Sequence, residues 1–163
     1  MPKQNLQFQT LFPKADKPGI IEPFMHKGEW AVHQVLPILL STYGPSSIYI
    51  SSFNVSEESL RALFFSSDIT ELTMLLDTTV RRHKLDLLLF AANITPNIRI
   101  DSCHAKIFLA ESSTHKFGIV GSANLNLNHR WESGFYFTEG PVYDYFYTKF
   151  HEAYADAIPY NID

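Results

Sequence analysis

Apolar residues in the first half of the chain recur first at helical and then at strand intervals. Between residues 27 and 41 the apolar positions fall three and four residues apart, as on one face of a helix: Val32, Val35, Leu36, Leu39 and Leu40. Pro37 lies inside this predicted helix and is expected to kink it. After a turn at Gly44 and Pro45, residues 47–55 alternate imperfectly between apolar and polar side chains, which predicts a strand.

Two helices separated by another strand are predicted after this strand. Ser56 is placed to cap the first helix, whose apolar stripe consists of Leu60, Leu63 and Phe64. The short apolar run over residues 72–76 predicts the intervening strand. Thr78 or Thr79 is placed to cap the second helix, which is expected to continue to about Ala92.

The second half of the chain is predicted to consist mainly of strands. Residues 97–102 predict a strand that continues to about Ala110, and residues 116–120 and 132–138 predict two more. Aromatic residues four positions apart predict a last helix from about Pro141 to Ala157. Strands that alternate with helices, followed by a cluster of strands and a closing helix, predict an α/β fold with a mixed central β-sheet sandwiched by helices.

The first 25 residues are predicted to form a partly extended N-terminal arm. Their prolines at positions 2, 13, 18 and 23 disfavour a regular helix. At most one short strand is expected there, near Leu6 to Phe12. Residues 26–163 are then expected to form a single globular domain.

Composition and charge narrow the class of protein. With 163 residues, of which 45% are apolar, the chain is large enough to bury one core. A formal net charge of −4 argues against a broadly basic surface that coats nucleic acid, although it leaves room for a local basic cleft.

The single cysteine, Cys103, cannot form an internal disulfide and is interpreted as a packed small residue. The sequence lacks the apolar core of a signal peptide, and its longest apolar run, residues 87–92, is too short to span a bilayer. We therefore expect a cytoplasmic protein without stable membrane association.

Two short polar motifs carry the candidate chemistry. His104 and Lys106 lie two positions apart in a predicted strand, and Ser122 and Asn124 follow Gly121 after the next apolar segment. Because residues i and i+2 of a strand project from the same face, each pair is expected to point together. An imidazole can attack phosphorus, while ammonium, hydroxyl and amide groups can bind phosphate oxygens. The two motifs together predict a site for a phosphodiester.

Two residues further along the chain extend this candidate site. Glu132, at the start of a predicted strand, can accept a hydrogen bond from His104 and stabilise the imidazolium that forms on attack. Arg130, in the preceding loop, can contact substrate phosphates through its fork of donors. The alternatives for these two residues are an ordinary surface carboxylate and an exposed polar loop. The other histidines show no ligand spacing, so neither a metal ion nor another cofactor is expected.

These residues resemble the signature of the phospholipase D superfamily. Its HxK(x)4D and GSxN motifs are matched by two segments, His104–Glu111 and Gly121–Asn124, which Glu132 follows. The resemblance implies that His104 is a covalent nucleophile, that Lys106 and Asn124 bind phosphate oxygens and that Ser122 supports that pocket. It also implies that Glu132 orients a histidine, that residues 26–163 form the catalytic domain, and that the reaction passes through a phosphohistidine without a metal.

The chain departs from the family pattern in two places and carries the signature in one copy. Glu111 replaces the usual aspartate, and the nine residues between Glu111 and Gly121 exceed the usual spacing, which predicts an enlarged hairpin. Family members need two HxK motifs, because one histidine attacks while the other protonates the leaving oxygen. The resemblance therefore implies a homodimer with a composite active site beside a two-fold axis.

The leading hypothesis from the sequence is a metal-independent phosphodiesterase, most simply a nuclease, since short single-motif chains resemble the small nucleases of the family. A phospholipid or other small phosphodiester hydrolase is the first alternative, although the sequence offers no basic amphipathic helix for a lipid surface. The second alternative is a catalytically silent module of the same fold that binds nucleic acid or protein. Intact His104, Lys106, Asn124 and Glu132 favour an enzyme over this alternative.

Overall fold

A computed structural model of the chain describes residues 7–92, 95 and 97–160. Within these residues, the strands are β1 (Ile21–Lys27), β2 (Ser46–Ser52), β3 (Ile69–Asp77), β4 (Ile98–Asp101), β5 (Ile107–Ser112), β6 (Lys116–Gly121), β7 (Trp131–Phe137) and β8 (Ile158–Pro159). The helices are α1 (Phe8–Leu11), α2 (Val32–Tyr43), α3 (Glu57–Phe64), α4 (Thr78–His83), α5 (Leu85–Ala92) and α6 (Gly140–Asp156).

The strands form one mixed sheet in the order β1-β7-β6-β5-β2-β3-β4-β8. β2, β3 and β4 run parallel to one another, and each of the other neighbouring pairs is antiparallel. Parallel strands need a crossover connection, which α3 provides between β2 and β3 and which α4 and α5 provide between β3 and β4. The predicted α/β fold with a mixed central sheet sandwiched by helices is confirmed.

Each face of the sheet is covered by its own hydrophobic core, because successive strand residues point to opposite sides. On β2, Ile48 and Ile50 belong to a core that also contains residues of α1 to α5. Tyr49, between them, belongs to a second core that contains Tyr143 and Phe150 of α6. Five helices therefore pack on one face of the described sheet and α6 packs on the other.

Several predicted elements are confirmed close to their expected bounds. α2 contains the predicted apolar stripe, and Pro37 lies inside it. Ser56 caps α3, since its Oγ accepts a hydrogen bond from Ser59 N at 3.2 Å. β3, β6, β7 and α6 begin and end within a few residues of their predicted bounds.

The second crossover helix differs from its prediction. It consists of two helices, α4 and α5, with Lys84 between them. Its cap is Asp77 rather than Thr78 or Thr79, because Asp77 Oδ1 accepts a hydrogen bond from Thr79 N at 2.8 Å. A carboxylate at this position also interacts favourably with the positive end of the helix dipole.

The strand predicted over residues 97–102 is confirmed as β4, but its predicted continuation through His104 to Ala110 is wrong. β4 ends at Asp101 and β5 begins at Ile107, and β2 and β3 lie between them in the sheet. The chain therefore leaves β4, crosses the ends of two strands and enters β5 in the opposite direction. His104 and Lys106 lie in this crossing loop, outside both strands.

The strand predicted near Leu6 to Phe12 is also wrong over its described part. Residues 8–11 form the single helical turn α1. This turn brings the buried rings of Phe8 and Phe12 to a centroid distance of 5.3 Å, whereas a strand would hold these positions about 13 Å apart. Burial of both rings therefore favours the helical turn, and residues 1–6 lie outside the described residues.

The N-terminal segment also supplies an edge strand that the sequence pattern did not reveal. β1 pairs with β7 along its whole length, with Ile21 opposite Phe137 and Lys27 opposite Trp131. Pro23 is compatible with this position because an edge strand leaves one row of backbone groups unpaired. The division of the chain into an arm of residues 1–25 and a domain of residues 26–163 stays a prediction, and β1 extends across that boundary.

Candidate active site

The residues singled out from the sequence gather at one end of the sheet, where β6 finishes and β5 and β7 begin. Lys106 immediately precedes β5, Ser122 immediately follows β6, and Glu132 is the second residue of β7. β6 is antiparallel to both neighbours, so its last residues lie beside the first residues of β5 and β7. We call this end of the sheet the site end. The two motifs meet there because their loops share the site end, and not because they lie within strands as predicted.

His104 and Lys106 contact each other directly. Lys106 Nζ lies 3.0 Å from His104 Nδ1 and donates a hydrogen bond of 2.7 Å to His104 O. An ammonium group has no acceptor, so the Nδ1 atom accepts in this contact. His104 is exposed and Lys106 is half-buried, which leaves the imidazole open to a ligand.

An aromatic ring that the sequence analysis did not single out packs against this pair. The ring centroid of Phe53 lies 4.8 Å from that of His104, and Lys106 Nζ lies 5.6 Å from the Phe53 centroid. Phe53 follows β2, so β2 also contributes to the site end. The strand predicted over residues 47–55 included Phe53. No pattern in the nearby sequence indicates that Phe53 contacts His104.

Ser122 and Glu132 are joined by a hydrogen bond across β6 and β7. Ser122 Oγ donates to Glu132 Oε2 and accepts from Ser133 N at 3.0 Å, while Asn128 Nδ2 donates to Glu132 Oε1 at 2.7 Å. Glu132 is buried, at 9% exposure, so these donors compensate for its lost hydration. Glu132 was predicted to accept a hydrogen bond from His104. Within one copy of the chain, its two oxygens instead accept from Ser122 and Asn128.

Asn124 is placed by the buried residue that follows it. Leu125 N donates to Ser52 Oγ at 3.0 Å, and Leu125 O accepts from Ser56 N at 3.0 Å. These bonds fasten the loop after β6 to the chain that leaves β2. Asn124 Oδ1 is buried and makes no hydrogen bond to the described residues.

Arg130 lies outside the hydrogen-bonded cluster. Its backbone N donates to Asn128 Oδ1 at 2.8 Å, and the residue is exposed. Arg130 therefore lies two positions before Glu132 in the chain, but its guanidinium group forms no hydrogen bond with Ser122 or Glu132. Its predicted role in substrate binding stays a prediction.

Charge and burial act together on Lys106. Burial lowers the pKa of Lys106 below its ordinary value, while Cys103, Glu132 and Asp77 act in the opposite direction. Burial therefore outweighs the attraction of these negatively charged groups, and an anionic ligand beside Lys106 would favour its charged form. Cys103 is itself buried, as predicted, and burial raises the pKa of its thiol.

A buried histidine also lies next to this cluster. His26 of β1 is paired with Glu132 in the β1–β7 ladder, and its Nδ1 accepts a hydrogen bond of 3.3 Å from Glu29 N. Burial lowers the pKa of His26, an effect that Glu29 and Glu132 partly oppose.

Over residues 7–92, 95 and 97–160, no three His, Cys, Asp or Glu side chains form a group that could hold a metal ion. In the same part of the chain, no helix is both long and apolar enough to cross a membrane.

The mixed sheet and its helices form a phospholipase D-like fold, as comparison with solved structures shows. The chain has a TM-score of 0.68 to Nuc from Salmonella typhimurium, a phospholipase D family member, at 14% sequence identity over 88% of this chain and 100% of Nuc. It has a TM-score of 0.64 to NucT from Helicobacter pylori, at 12% identity over 86% of this chain and 100% of NucT.

A third similar structure is that of TrmBL2, an archaeal chromatin protein with a novel mode of DNA binding. Its TM-score is 0.54 at 13% identity, and the alignment covers 85% of this chain and 54% of TrmBL2. No family model and no curated protein matches the sequence of this chain. At these identities the likeness concerns the fold.

Proposed function

We propose that this chain is a metal-independent phosphodiesterase that cleaves nucleic acid through a phosphohistidine intermediate. The observation that carries the proposal is the contact of His104 with Lys106 at the site end that also holds Ser122, Asn124 and Glu132. An exposed imidazole beside an ammonium provides a nucleophile next to a group that neutralises phosphate oxygens. The phospholipase D fold supports this interpretation of the cluster.

In the proposed reaction, Lys106 transfers its hydrogen bond from the His104 ring to a phosphate oxygen. The unprotonated nitrogen of neutral His104 of one subunit attacks phosphorus, and the bond from phosphorus to the leaving oxygen breaks. His104 of the other subunit, in its protonated form, donates its proton to that oxygen. It then accepts a proton from a water molecule, whose oxygen attacks phosphorus and displaces the first histidine. Lys106 and Asn124 hold the phosphate oxygens throughout, Ser122 supports them, and Glu132 orients a histidine. Because the two histidines must have opposite protonation states, the rate is expected to depend on pH as a bell-shaped curve.

An exposed apolar surface supports the proposed homodimer. Residues directly opposite each other in β1 and β7 share a face of the sheet, and four large side chains of these strands on the α6 side are between 49% and 67% exposed: Ile21, Met25, Trp131 and Phe135. We call these four the β1–β7 patch. A group of exposed large apolar side chains on two neighbouring strands is a candidate surface for contact with another protein chain. Trp131 precedes Glu132 in β7, so a copy bound to this patch lies close to the site end.

Nucleic acid is the substrate class that the observations favour. Lys27 and Arg130 are exposed at or near the site end and provide local positive charge in a chain whose overall charge is negative. TrmBL2, which shares the fold, is described as binding DNA. The negatively charged backbone of a nucleic acid can contact Lys106 and the exposed cations at the same time.

The experiment that tests the proposal compares the native protein with His104→Ala on four substrates, in the presence of EDTA. The substrates are single-stranded DNA, duplex DNA, RNA and phosphatidylcholine. We expect the native protein to cleave at least one nucleic acid and His104→Ala to lose turnover while keeping its circular dichroism and Tm, since His104 is exposed. His115→Ala is the matched control, because His115 is exposed at the β5–β6 turn, at the other end of the sheet. Turnover that survives His104→Ala, turnover abolished by EDTA, cleavage of lipid alone, or DNA binding without cleavage would each reject the proposal.

A further inference from the structure

We infer that Asp77 is a positioning residue for His104, which it holds in place through the backbone of the crossing loop. This inference rests on the proposed function for its kinetic test. Asp77 contacts neither the His104 ring nor Lys106 through a hydrogen bond, and its role is to fix the loop from which both side chains project.

The two carboxylate oxygens of Asp77 join two segments that are distant in sequence. Oδ1 accepts a hydrogen bond from Thr79 N at 2.8 Å, and Oδ2 accepts one from Cys103 N at 2.9 Å. Asp77 is 5% exposed and Cys103 is 8% exposed, so water competes little for either bond. Charge-assisted bonds of this kind are stronger than neutral ones.

The topology explains why the crossing loop needs such a bond. Residues 102–106 join β4 to β5 across the ends of β3 and β2, outside the ladder of hydrogen bonds between strands. Asp77 is the last residue of β3 and therefore lies where the loop crosses. By holding Cys103 N, Asp77 fixes the residue directly before His104.

The turn that begins at Asp77 holds His104 from a second direction. Thr79 Oγ1 donates a hydrogen bond of 3.3 Å to Phe53 O, and the ring of Phe53 packs against the His104 ring at a centroid distance of 4.8 Å. The β3–α4 turn thus fixes both the backbone before His104 and the aromatic ring beside it.

The charge of Asp77 is consistent with this role. Although burial acts to raise the pKa of Asp77, the hydrogen bonds from Thr79 and Cys103 and the nearby His104 hold that pKa below its ordinary value. Asp77 is therefore ionised at neutral pH, and its charge interacts favourably with the protonated form of the His104 ring. Asp101, its partner in the β3–β4 ladder, is exposed and accepts instead from Ser102 N at 2.7 Å.

Asp77→Asn separates the positioning role from the capping role. Asparagine is as good a helix cap as aspartate, but when its oxygen accepts from Thr79 N, its NH2 group replaces the oxygen that accepts from Cys103 N. We expect kcat to fall by about tenfold to a hundredfold, because small displacements of a reacting group have effects of this size, while KM changes less than about twofold. Asp101→Asn is the matched control, since it removes a carboxylate charge at the end of the neighbouring strand, opposite Asp77, without releasing Cys103.

The kinetic comparison is made at a temperature at which circular dichroism shows each variant to be fully folded. If Asp77→Asn does not fold, Asp77→Ser replaces it, because serine can cap α4 but has a single side-chain oxygen. An unchanged kcat, an equal loss in Asp101→Asn, or a loss confined to KM would overturn the inference.

A second measurement does not depend on activity. Hydrogen exchange of the Cys103 amide, followed by NMR in the native protein, is expected to be strongly protected, and the protection is expected to fall in Asp77→Asn but not in Asp101→Asn. A freely exchanging Cys103 amide in the native protein would overturn the inference. If the native protein cleaves no phosphodiester while this amide is protected as expected, the proposed function is rejected. The inference that Asp77 fixes the backbone before His104 is then still supported.

Discussion

Gly121 and Gly134 lie directly opposite each other in the β6–β7 ladder, and neither position has room for a side chain. A Cβ atom on Gly121 would lie 2.9 Å from the Cα of Gly134 and closer still to Ser133 O. A Cβ atom on Gly134 would lie 2.7 Å from the Cα of Gly121 and closer still to Val120 O. The glycine of the GSxN segment is therefore needed for the close approach of two strands, and this approach brings Ser122 to Glu132.

Gly121→Ala is expected to destabilise the protein and to reduce turnover. The added methyl group meets backbone atoms that cannot move aside independently, so the free energy of unfolding should fall by about 1–3 kcal/mol or more. Gly140→Ala is the matched control, because a Cβ atom at Gly140 meets no heavy atom within 4 Å. Urea unfolding measures both variants. Equal stability of Gly121→Ala and Gly140→Ala would contradict the argument from close approach.

Glu132→Gln is expected to lower both stability and turnover. The buried carboxylate accepts hydrogen bonds from Ser122 and Asn128, and a glutamine would face one of these donors with its own NH2 group. Loss of a hydrogen bond to a buried charged group costs about 1.5–3 kcal/mol, which urea unfolding can resolve. Glu152→Gln is the control, since Glu152 forms an exposed ion pair with Lys149, and exposed pairs contribute little to stability. Native-like unfolding and kcat in Glu132→Gln would refute this account of Glu132.

The sequence pattern correctly predicted those elements that depend on residues close together in the chain. β3 and β6 each contain a short apolar run, and the cap of α3 by Ser56 needs only a contact three residues away. Such patterns contain no information on the order of strands in a sheet. The β4–β5 connection was therefore predicted as one strand, although β2 and β3 separate its two ends.

The candidate site was predicted in its residue types but not in its geometry. His104, Lys106 and Ser122 were identified because imidazole, ammonium and hydroxyl groups suit a phosphate, yet all three lie in loops. Asp77 was not identified, because its bond to Cys103 spans 26 residues and follows from the crossing of the sheet by the β4–β5 loop. Contacts of this range depend on tertiary structure.

Acidification below pH 6.5 is expected to destabilise the protein through its buried histidines. Burial lowers the pKa values of His26 and His33 from the ordinary 6.5. The unfolded chain therefore binds protons more readily than the folded one, so stability present above pH 6.5 is lost as pH falls toward the lowered pKa values. Urea unfolding at pH 8 and pH 5.5 measures the loss. His26→Phe should reduce it, since His26 packs between aromatic rings, whereas equal stability at the two pH values would contradict the prediction.

Charge placed on the β1–β7 patch is expected to prevent dimerisation and, with it, turnover. Trp131 is 61% exposed and Met25 is 67% exposed, so Trp131→Glu and Met25→Glu should leave the fold intact while opposing burial against another subunit. Phe65→Glu is the matched control, because Phe65 is 73% exposed at the end of α3, away from the patch. Analytical ultracentrifugation and the nuclease assay should report monomers with little activity for the first two variants. Active dimers of Trp131→Glu and Met25→Glu would place the interface elsewhere.

Mixing native and His104→Ala subunits is expected to reveal whether one active site needs two histidines. After refolding together, equal amounts of the two chains should form dimers of which about a quarter contain two intact copies of His104. Because that mixture holds twice as many dimers as the native sample alone, total activity should fall to about half, and a threefold excess of the variant should reduce it to about a quarter. His115→Ala, mixed in the same proportions, should leave activity at or above that of the native sample. If each subunit instead worked with its own histidine alone, added His104→Ala would not change the total, and the composite site would be rejected even if His104 proved essential.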